Sequence, residues 1–396
     1  MIEAETLSER VSQAYADSEP LRIAGAGSKH FLQPSDQPIA GSVLDISQYA
    51  GVVSYEPTEL VLTAKSGTPI AELESLLAKE GQALPFDPPL YSGADTLGGV
   101  VACAASGPSR SYRGGVRDFI LGTRIINGRG EDLRFGGEVM KNVAGYDVSR
   151  LQVGARGSLG ALLDLSVKVL PRHETQETVS FICDSAAVLG KLIALERQPL
   201  PLDAAAIAPH TSDNKVRLVI RFSGTAAAVK RAVSDIGGDV ETDSEQWWLS
   251  LRDLTHPFFD KVADKDSADL QIPLWRFTVP ADTPLDAFVS AVPGLQPNDW
   301  LFDWGGRLRW VKSDASLAAM SAVATSFKGQ VSRLGSGSED SVHAADMGSA
   351  SALENLHMRI KASFDPRHIL NRGVLAFEQK MSSMPVVEPL TTSITT

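Results

Sequence analysis

The stretch from Ser92 to Gly107 reads SGADTLGGVVACAASG and contains no side chain larger than leucine. Asp95 or Thr96 can cap a helix that begins here, because a side-chain oxygen at that position accepts a free backbone N–H. Glycine and alanine then leave the helix backbone exposed along one side, which permits close approach. The stretch predicts either a groove for a flat or elongated ligand or close packing of the helix against another element. No histidine or charge neighbours Cys103 in sequence, which favours a packing role over a nucleophile.

This stretch opens the most glycine-rich part of the chain. Of 33 glycines, 15 lie between Gly93 and Gly160, where an even spread would place about six. From Arg110 to Arg172 there are 11 lysines and arginines against 6 aspartates and glutamates, although the whole chain carries a formal charge of −11. Turns alone would explain the glycines but not the local positive charge. A phosphate-bearing ligand across these loops explains both.

Composition and length exclude several classes of protein. The 396 residues predict two or three domains, and 43% hydrophobic residues are typical of globular folds. The acidic balance argues against nucleic acid as a partner. No apolar run approaches the roughly 18 residues that a membrane helix needs, and the N-terminal segment lacks the features of a secretory signal. The two cysteines are 80 positions apart and the seven histidines show no metal-binding spacing, so we expect no metal site and a cytoplasmic location.

A second glycine motif lies near the N-terminus, where Arg22-Ile-Ala-Gly25-Ala-Gly27-Ser28-Lys29 follows a short strand. Such a turn can present backbone N–H groups to a pyrophosphate, and Lys29 adds a positive charge. It is not a Rossmann fingerprint, since His30 stands at the third glycine position and no helix opens after it. Taken alone, the motif is equally compatible with a tight turn that holds no ligand.

Four motifs in this order carry a resemblance to a known family. They are Arg22-Ile-Ala-Gly-Ala-Gly-Ser28, Thr96-Leu-Gly-Gly-Val-Val-Ala102, Tyr112-Arg-Gly-Gly-Val-Arg-Asp-Phe-Ile-Leu-Gly122 and Val153-Gly-Ala-Arg-Gly-Ser-Leu-Gly160. Together they resemble the FAD-binding domain of the vanillyl-alcohol oxidase / p-cresol methylhydroxylase (PCMH) type. Three more motifs are similar to the FAD-binding (GlcE-type) subunits of bacterial glycolate oxidases: Lys141-Asn-Val-Ala-Gly-Tyr-Asp147, Asp303-Trp-Gly-Gly-Arg-Leu-Arg-Trp310 and Phe364-Asp-Pro-Arg-His-Ile-Leu-Asn371.

The resemblance implies which residues bind FAD. The pyrophosphate would meet the first loop, at Gly25, Ala26, Gly27, Ser28 and Lys29. The second phosphate and the ribityl chain would meet Asp95, Thr96, Gly98, Gly99 and Ala102, with Ser106 and Gly107 continuing that wall. The flavin or adenine would meet Arg117, Asp118, Gly157, Gly160 and Leu162. Covalent relatives carry a histidine after the second glycine of the first loop, or a cysteine in the second loop. Ser28 and the loop Gly93–Thr96 stand there instead, so we expect non-covalent FAD.

The implied fold class is α+β, with a two-part PCMH-type FAD-binding domain followed by a ferredoxin-like α+β cap domain. The predicted domains are residues 1–173, which bind FAD, residues 174–376, which are similar to the C-terminal domain of FAD-linked oxidases, and a flexible tail at 377–396. From position 179 the pattern alternates as strand, helix, strand, strand and helix, which is typical of a split βαβ unit. All six tryptophans lie between Trp247 and Trp310, where they indicate packing or an aromatic ligand cage.

The resemblance also implies a function and partners. The chain would support oxidation of glycolate to glyoxylate, alongside a catalytic flavin subunit and an iron–sulfur subunit, and membrane association would come only through these partners. Relatives that oxidise 2-hydroxy acids carry a C-terminal His-x-Gly-Asp-Gly-Asn motif that supplies a base. No such string occurs here, and we assign no catalytic residue. His343 and His357 are interpreted as structural.

Two alternatives stay open at the level of sequence. In the first, the chain is a stand-alone 2-hydroxy-acid oxidoreductase in which Arg307 or Arg309 binds the substrate carboxylate, because arginine pairs well with carboxylates. In the second, it is a flavodomain retained only for complex assembly. The intact glycine motifs favour a domain that still binds FAD.

Overall fold

The computed structural model describes residues 2–32, 41–137, 147–212, 214–259, 272–334 and 350–374. Three sequence features lie outside these ranges: residues 141–146 of the motif Lys141–Asp147, His343, and the predicted tail 377–396.

The first part of the chain alternates short strands with short helices. Its helices are α1 (Ala4–Asp17), α2 (Ile70–Lys79), α3 (Leu97–Ala102), α4 (Arg110–Arg113), α5 (Val116–Phe119) and α6 (Val148–Leu151). Its strands are β1 (Leu21–Ala24), β2 (Ser42–Asp45), β3 (Val52–Glu56), β4 (Val61–Lys65), β5 (Gln82–Ala83), β6 (Ile120–Ile126), β7 (Asp132–Gly136), β8 (Ala161–Lys168) and β9 (Leu170–Pro171). A 3-10 turn covers His30–Leu32.

Two sheets carry this domain. Strands β1 and β2 form a parallel pair, and an antiparallel sheet has the order β3-β4-β8-β6-β7. Residues 127–130 form the turn that joins β6 and β7, which pair antiparallel. Helix α2 buries Ile70, Leu73 and Leu77, which its apolar spacing requires. Pro69 is the N-cap of this helix, and the Thr68 hydroxyl donates to Lys65 O.

The second part of the chain contains longer elements. Its helices are α7 (Ser185–Glu196), α8 (Ala226–Ile236), α9 (Ser244–Arg252), α10 (Leu285–Ala291), α11 (Leu317–Ser326) and α12 (Ala350–Phe364). Its strands are β10 (Thr175–Asp184), β11 (Leu202–Pro209), β12 (Lys215–Gly224), β13 (Asp239–Val240), β14 (Leu274–Thr278), β15 (Trp300–Asp303), β16 (Leu308–Lys312) and β17 (Gln330–Leu334). Further 3-10 turns cover Pro257–Phe259 and Trp304–Gly306.

These strands form one eight-stranded sheet built from two similar halves. The sheet order is β13-β10-β12-β11-β15-β16-β14-β17. Each half is a βαββαβ unit with its fourth strand beside its first and its third beside its second, which is the ferredoxin-like arrangement. The predicted first unit is confirmed, strand by strand. The second unit was not predicted, because the region of its strands was interpreted only as a concentration of tryptophans.

The two faces of this sheet have different neighbours. On one face the helices α7, α8, α10 and α11 cover a core that includes Trp275 and Trp300. On the other face a second cluster contains Trp248, Trp304 and Trp310, and Leu32 of the first domain packs against it. The packing interpretation of the tryptophans is therefore confirmed, and this second face is the one that meets the first domain.

The end of the described chain returns to the first domain. Leu370 forms a parallel bridge with Leu21 and is fully buried in the cluster around helix α1. The fully buried Lys361 ammonium donates to Asp365, to Ser158 O at 2.7 Å and to Leu370 O at 3.0 Å. The domain boundaries stay a prediction, but the residues after helix α12 pack with the first domain although they follow the cap in sequence.

No helix in the described ranges combines the length and the hydropathy needed to span a membrane.

Candidate functional site

A first cavity of about 150 Å³ lies between the loop after β1, helix α3, the segment before β8 and the C-terminal return. Twelve of the predicted FAD residues line it: Gly25, Ala26, Gly27, Ser28, Lys29, Thr96, Gly98, Gly99, Ala102, Gly157, Gly160 and Leu162. Motifs that are up to 137 positions apart in sequence thus converge on one cavity.

The loop after β1 presents polar hydrogens to this cavity. Gly27 has φ +75°, a conformation that other residues rarely adopt, and a Cβ there would meet nothing within 4 Å. Among the described residues, the backbone N–H groups of Ala26 and Ser28 have no acceptor. Free N–H groups at these two positions can bind an anion, and Lys29 follows directly.

Asp95 lies beneath this loop rather than on the cavity wall. Its carboxylate accepts from Ser28 Oγ at 2.6 Å and from the Lys29 ammonium, and the Ser92 N–H donates to its other oxygen at 2.9 Å. Burial alone would raise the pKa of Asp95, but the hydrogen bonds from Lys29 and Ser28 hold it below its usual range. Asp95 therefore positions the loop Gly25–Lys29, and it does not line the cavity itself.

Helix α3 satisfies both alternatives that its sequence left open. Thr96 is its N-cap and accepts the Gly99 N–H at 3.3 Å. A Cβ on Gly98 would lie 2.6 Å from the Cβ of Ser66, so this glycine is needed for close packing. A Cβ on Gly99 would lie 3.3 Å from its nearest neighbour, Thr96 Oγ1, and 3.7 Å from the Lys29 ammonium. One side of the helix is therefore packed, while Gly99 forms a groove.

The opposite wall contains two residues that the sequence did not assign. The Asn371 amide accepts the Ile23 N–H at 2.7 Å and donates to Arg156 O at 2.6 Å. The Arg156 guanidinium has no acceptor among the described residues, and its Nη1 is buried. Burial lowers the pKa of Arg156. Both residues lie inside motifs quoted above, and a positively charged side chain between Gly154 and Gly157 was a usable signal.

A second cavity of about 80 Å³ lies where the cap meets the first domain. The predicted residues Ser106 and Gly107 line it, and Trp304 Nε1 donates to Gly107 O at 2.9 Å across the domain boundary. Both cavities share Leu32, Cys103 and Arg156 in their walls. An elongated ligand could therefore extend from the first cavity towards the second. Burial raises the pKa of the Cys103 thiol, which agrees with its predicted packing role.

Side chains, rather than backbone, determine the character of the second cavity. Arg276 lies over the indole rings of Trp304 and Trp310, at 5.2 and 6.0 Å from the ring centres, and burial lowers its pKa to about 10. Burial raises the pKa of Asp303 to about 7, although its carboxylate accepts the Trp304 N–H at 2.7 Å. Burial also raises the pKa of Tyr91.

Two predicted residues lie away from both cavities. Arg117 and Asp118 are exposed on helix α5, where the Asp118 carboxylate accepts the Gly115 N–H at 2.8 Å. In this structure Asp118 caps the N-terminus of helix α5, and neither residue lines a cavity. His357, interpreted as structural, is an exposed residue of helix α12.

The stand-alone alternative assigned the substrate carboxylate to Arg307 or Arg309, and this assignment is wrong. Arg307 makes a bidentate ion pair with Glu196, in which Nη1 and Nη2 each donate to one carboxylate oxygen at 3.1 Å. Arg309 is fully buried and donates to Gly306 O at 3.1 Å and to Thr283 O. The ion pair and the burial take both guanidinium groups away from a substrate. Neither residue lines either cavity.

No cluster of three or more potential metal ligands was found in the part of the chain that the structure describes.

Comparison with known proteins agrees with this geometry. Residues 3–136 match the family described as FAD binding domain. Over 373 residues the chain is 40% identical to glycolate oxidase subunit GlcE of Escherichia coli (strain K12), covering 93% of this chain and 96% of that protein. The chain belongs to the GlcE family of flavoprotein subunits.

More distant relatives match a smaller part of the chain or its fold alone. Glycolate oxidase subunit GlcD of Bacillus subtilis (strain 168) is 30% identical over 169 residues, which cover 41% of this chain and 35% of GlcD. A solved structure of alkyldihydroxyacetonephosphate synthase superposes with a TM-score of 0.65 at 16% identity, over 93% of this chain and 74% of that one. This superposition covers both domains and confirms the α+β fold of an FAD-binding domain with a cap.

Proposed function

We propose that this chain is the FAD-binding subunit of a glycolate oxidase-type complex, which oxidises glycolate to glyoxylate and passes electrons through flavin to an iron–sulfur partner. The observation that carries the proposal is the first cavity, where twelve predicted residues from three separate stretches of sequence converge. The 40% identity to GlcE supports the same assignment.

The residues of the first cavity fit FAD in their chemistry. The N–H groups of Ala26 and Ser28 and the Arg156 guanidinium lack acceptors among the described residues, and phosphate oxygens would supply them. Bound FAD would supply a hydride and electron acceptor. Ser28 carries no group that forms a flavin linkage, so FAD is held without a covalent bond.

The partners follow from what the chain lacks. An iron–sulfur cluster usually needs four cysteine ligands, and this chain has two, one in each domain. Among the described residues, no histidine lines either cavity as a base. We therefore place substrate oxidation and the cluster on a catalytic flavin subunit and an iron–sulfur subunit, in the cytoplasm, with any membrane contact made by them.

Spectroscopy of the purified full-length chain tests the cofactor. We expect flavin absorption at about one FAD per chain, and a yellow supernatant after acid precipitation. A yellow pellet would contradict non-covalent binding, and a colourless chain that does not take up added FAD would contradict the proposal. Glycolate added to the chain alone should leave the flavin oxidised, whereas the co-expressed complex should reduce it. Rapid turnover by the single chain would favour the stand-alone alternative.

A matched pair of glycine variants tests the cavity itself. Gly99→Leu places a side chain in the groove of helix α3, and we expect FAD content to fall at least tenfold. Gly190→Leu is the control, because Gly190 is exposed on helix α7 and a Cβ there meets nothing within 4 Å. Equal FAD content in the two folded variants would show that the cofactor is not bound in the first cavity. A complex that assembles with Gly99→Leu and retains full activity would favour the assembly-only alternative.

A further inference from the structure

The turn Trp304–Gly306, which joins β15 to β16, has an unusual backbone. Its residues have φ angles of +53°, +65° and +82°, so all three lie in the left-handed region. Glycine adopts such angles readily, but in tryptophan the Cβ crowds the backbone. Strain of this kind persists only where the surrounding structure holds it. Contacts around Trp304 must therefore keep the turn in this shape.

The first domain holds Trp304 in three ways. The indole Nε1 donates to Gly107 O at 2.9 Å, and Ser111 Oγ donates to Trp304 O at 2.9 Å. The Arg110 guanidinium lies 4.4 Å from the ring centre. These partners all come from residues 107–111, and Trp304 is only 4% exposed. The side chain, the carbonyl and the ring face of one cap residue are thus fixed by a single segment of the other domain.

The cap supports the turn from behind. The Asp303 carboxylate accepts the Trp304 N–H at 2.7 Å, and Arg309 Nε donates to Gly306 O at 3.1 Å. Arg309 is fully buried and meets no carboxylate within ion-pair distance among the described residues. Burial of a charge without a counter-charge is costly. The bond to Gly306 O gives this buried guanidinium a role in holding the turn.

Gly305 leaves no room between the turn and helix α4. A Cβ on Gly305 would lie 2.7 Å from Tyr112 Oη of the first domain and 2.7 Å from Arg307 Nη1. The Tyr112 hydroxyl is itself fixed, because it donates to Glu196 of helix α7 at 3.0 Å. A larger side chain at this position would therefore push the turn away from the first domain.

The turn lies where it can close the second cavity. Trp304 lines that cavity from the cap and Gly107 lines it from the first domain, so the hydrogen bond between them joins its two sides. Cys103 lies in the wall that the second cavity shares with the first. Loss of the bond to Gly107 would let the two sides separate, and the Cys103 thiol would then be accessible from solvent.

We propose that the turn Trp304–Gly306 is a strained latch that holds the cap against the first domain and keeps the second cavity closed. In the latched state, contacts with residues 107–112 offset the cost of the left-handed Trp304. When those contacts break, the turn relaxes and the second cavity opens to solvent at the shared wall. The latch concerns access alone, so it does not depend on what either cavity binds.

The reactivity of Cys103 reports the state of the latch. Cys183→Ser leaves Cys103 as the single thiol of the chain, and Cys183 packs against the helix-covered core of the cap. Reaction of the full-length protein with N-ethylmaleimide is followed by mass spectrometry. A closed latch should keep this reaction slow, and a loosened latch should accelerate it.

A matched pair of tryptophan variants is the first test. Trp304→Phe keeps a ring but removes the bond to Gly107 O, and labelling should become at least tenfold faster. Trp275→Phe is the control, because Trp275 is also buried and its Nε1 donates to Ser313 O at 2.8 Å, but on the helix-covered face of the sheet. Equal labelling rates in the two variants would overturn the inference, since a general loss of stability would then account for exposure of the thiol.

A pair of glycine variants is the second test, and it decides the question if Trp304→Phe does not fold. Gly305→Ala should displace the turn from Tyr112 and accelerate labelling. Gly294→Ala is the control, because Gly294 has a similar φ of +67° but is exposed, and a Cβ there meets nothing within 4 Å. Both variants carry the same backbone cost, so equal labelling rates in the pair would overturn the inference.

FAD content separates the latch from the proposed function. No residue of the turn lines the first cavity, so the purified variants should contain as much FAD as the unaltered chain. Selective loss of FAD from Trp304→Phe and Gly305→Ala would overturn the latch, because the turn would then belong to the FAD site. A chain that never binds FAD contradicts the proposed function, and the labelling rates still decide whether the latch exists.

Discussion

The two cavities share a wall, but different kinds of chemical groups line them. The first is lined largely by glycines and backbone from one domain and the C-terminal return, and the second by tryptophan, tyrosine and arginine side chains from both domains. Backbone cavities need small residues at fixed local positions, whereas side-chain cavities depend on how distant strands align. The difference explains why the first could be located from sequence and the second could not. The predictions below test how independent the two cavities are.

The largest effect is expected where the C-terminal return is held against the first cavity. Lys361→Met removes an ammonium that donates to Asp365, Ser158 O and Leu370 O, and leaves a buried carboxylate without its counter-charge. Breaking a buried ion pair in this way typically costs about 3–5 kcal/mol. Urea unfolding should show that loss, and FAD affinity should fall with it because Asn371 lines the cavity. Lys230→Met, on the exposed face of helix α8, should change neither.

Asp303 should make stability depend on pH through the second cavity. Its pKa rises from 3.8 in the unfolded chain to about 7 in the folded one, so the folded protein binds the proton more tightly. Stability is therefore greatest below pH 4 for this group and declines as the pH rises through about 7, by about 4 kcal/mol. Asp303→Asn keeps an acceptor for the Trp304 N–H and should flatten this decline in urea unfolding between pH 5 and 8.

The exposed Asp282 provides the control for that measurement, since Asp282→Asn should leave the pH profile as it is. If the stability of Asp303→Asn declines with pH as steeply as that of the unaltered chain, groups other than Asp303 cause the decline.

A smaller effect is expected for the ion pair that joins the two domains. Arg221 of β12 reaches Asp87 at 2.9 Å and Asp203 at 2.5 Å, and Arg113 of helix α4 also contacts Asp203. Burial would raise the pKa of Asp87, but Arg221 and Arg113 hold it lower. Asp87 is partly exposed, so Asp87→Asn should cost about 1–2 kcal/mol, less than a fully buried pair.

Asp87→Asn is also tested for its FAD content. FAD content should hold while stability falls, because neither Asp87 nor Arg221 lines the first cavity. Asp235→Asn disrupts an exposed pair and should alter neither measurement. A loss of FAD from folded Asp87→Asn would mean that the first cavity depends on the contact between the domains.

The smallest effect is expected for Arg307. Its ion pair with Glu196 is partly exposed, and such pairs contribute less than about 1 kcal/mol. Urea unfolding of Arg307→Met should therefore show a loss of less than about 1 kcal/mol, and FAD content should be unchanged. A loss as large as that expected for Asp87→Asn would contradict this ranking.

The sequence located most of the first cavity because its signals are local. The turn at Gly27, the cap at Thr96 and the small residues of helix α3 each follow from a few adjacent letters. Arg276 stands in LWRFT, a strand with no unusual feature, and only the sheet register brings Trp310 beside it. Arg307 and Arg309 attracted attention through their glycine–aromatic surroundings, yet Glu196, 111 positions from Arg307, determines what Arg307 contacts.

The C-terminal return has a consequence for how this protein is made. Asn371 and Val374 line the first cavity opposite Gly25, which the ribosome produces about 350 residues earlier. The cap must therefore be synthesised before the cavity is complete. A product that stops before Asn371 lacks one wall of the first cavity. In such a product the Ile23 N–H and the Arg156 carbonyl also lose the Asn371 side chain as their hydrogen-bond partner.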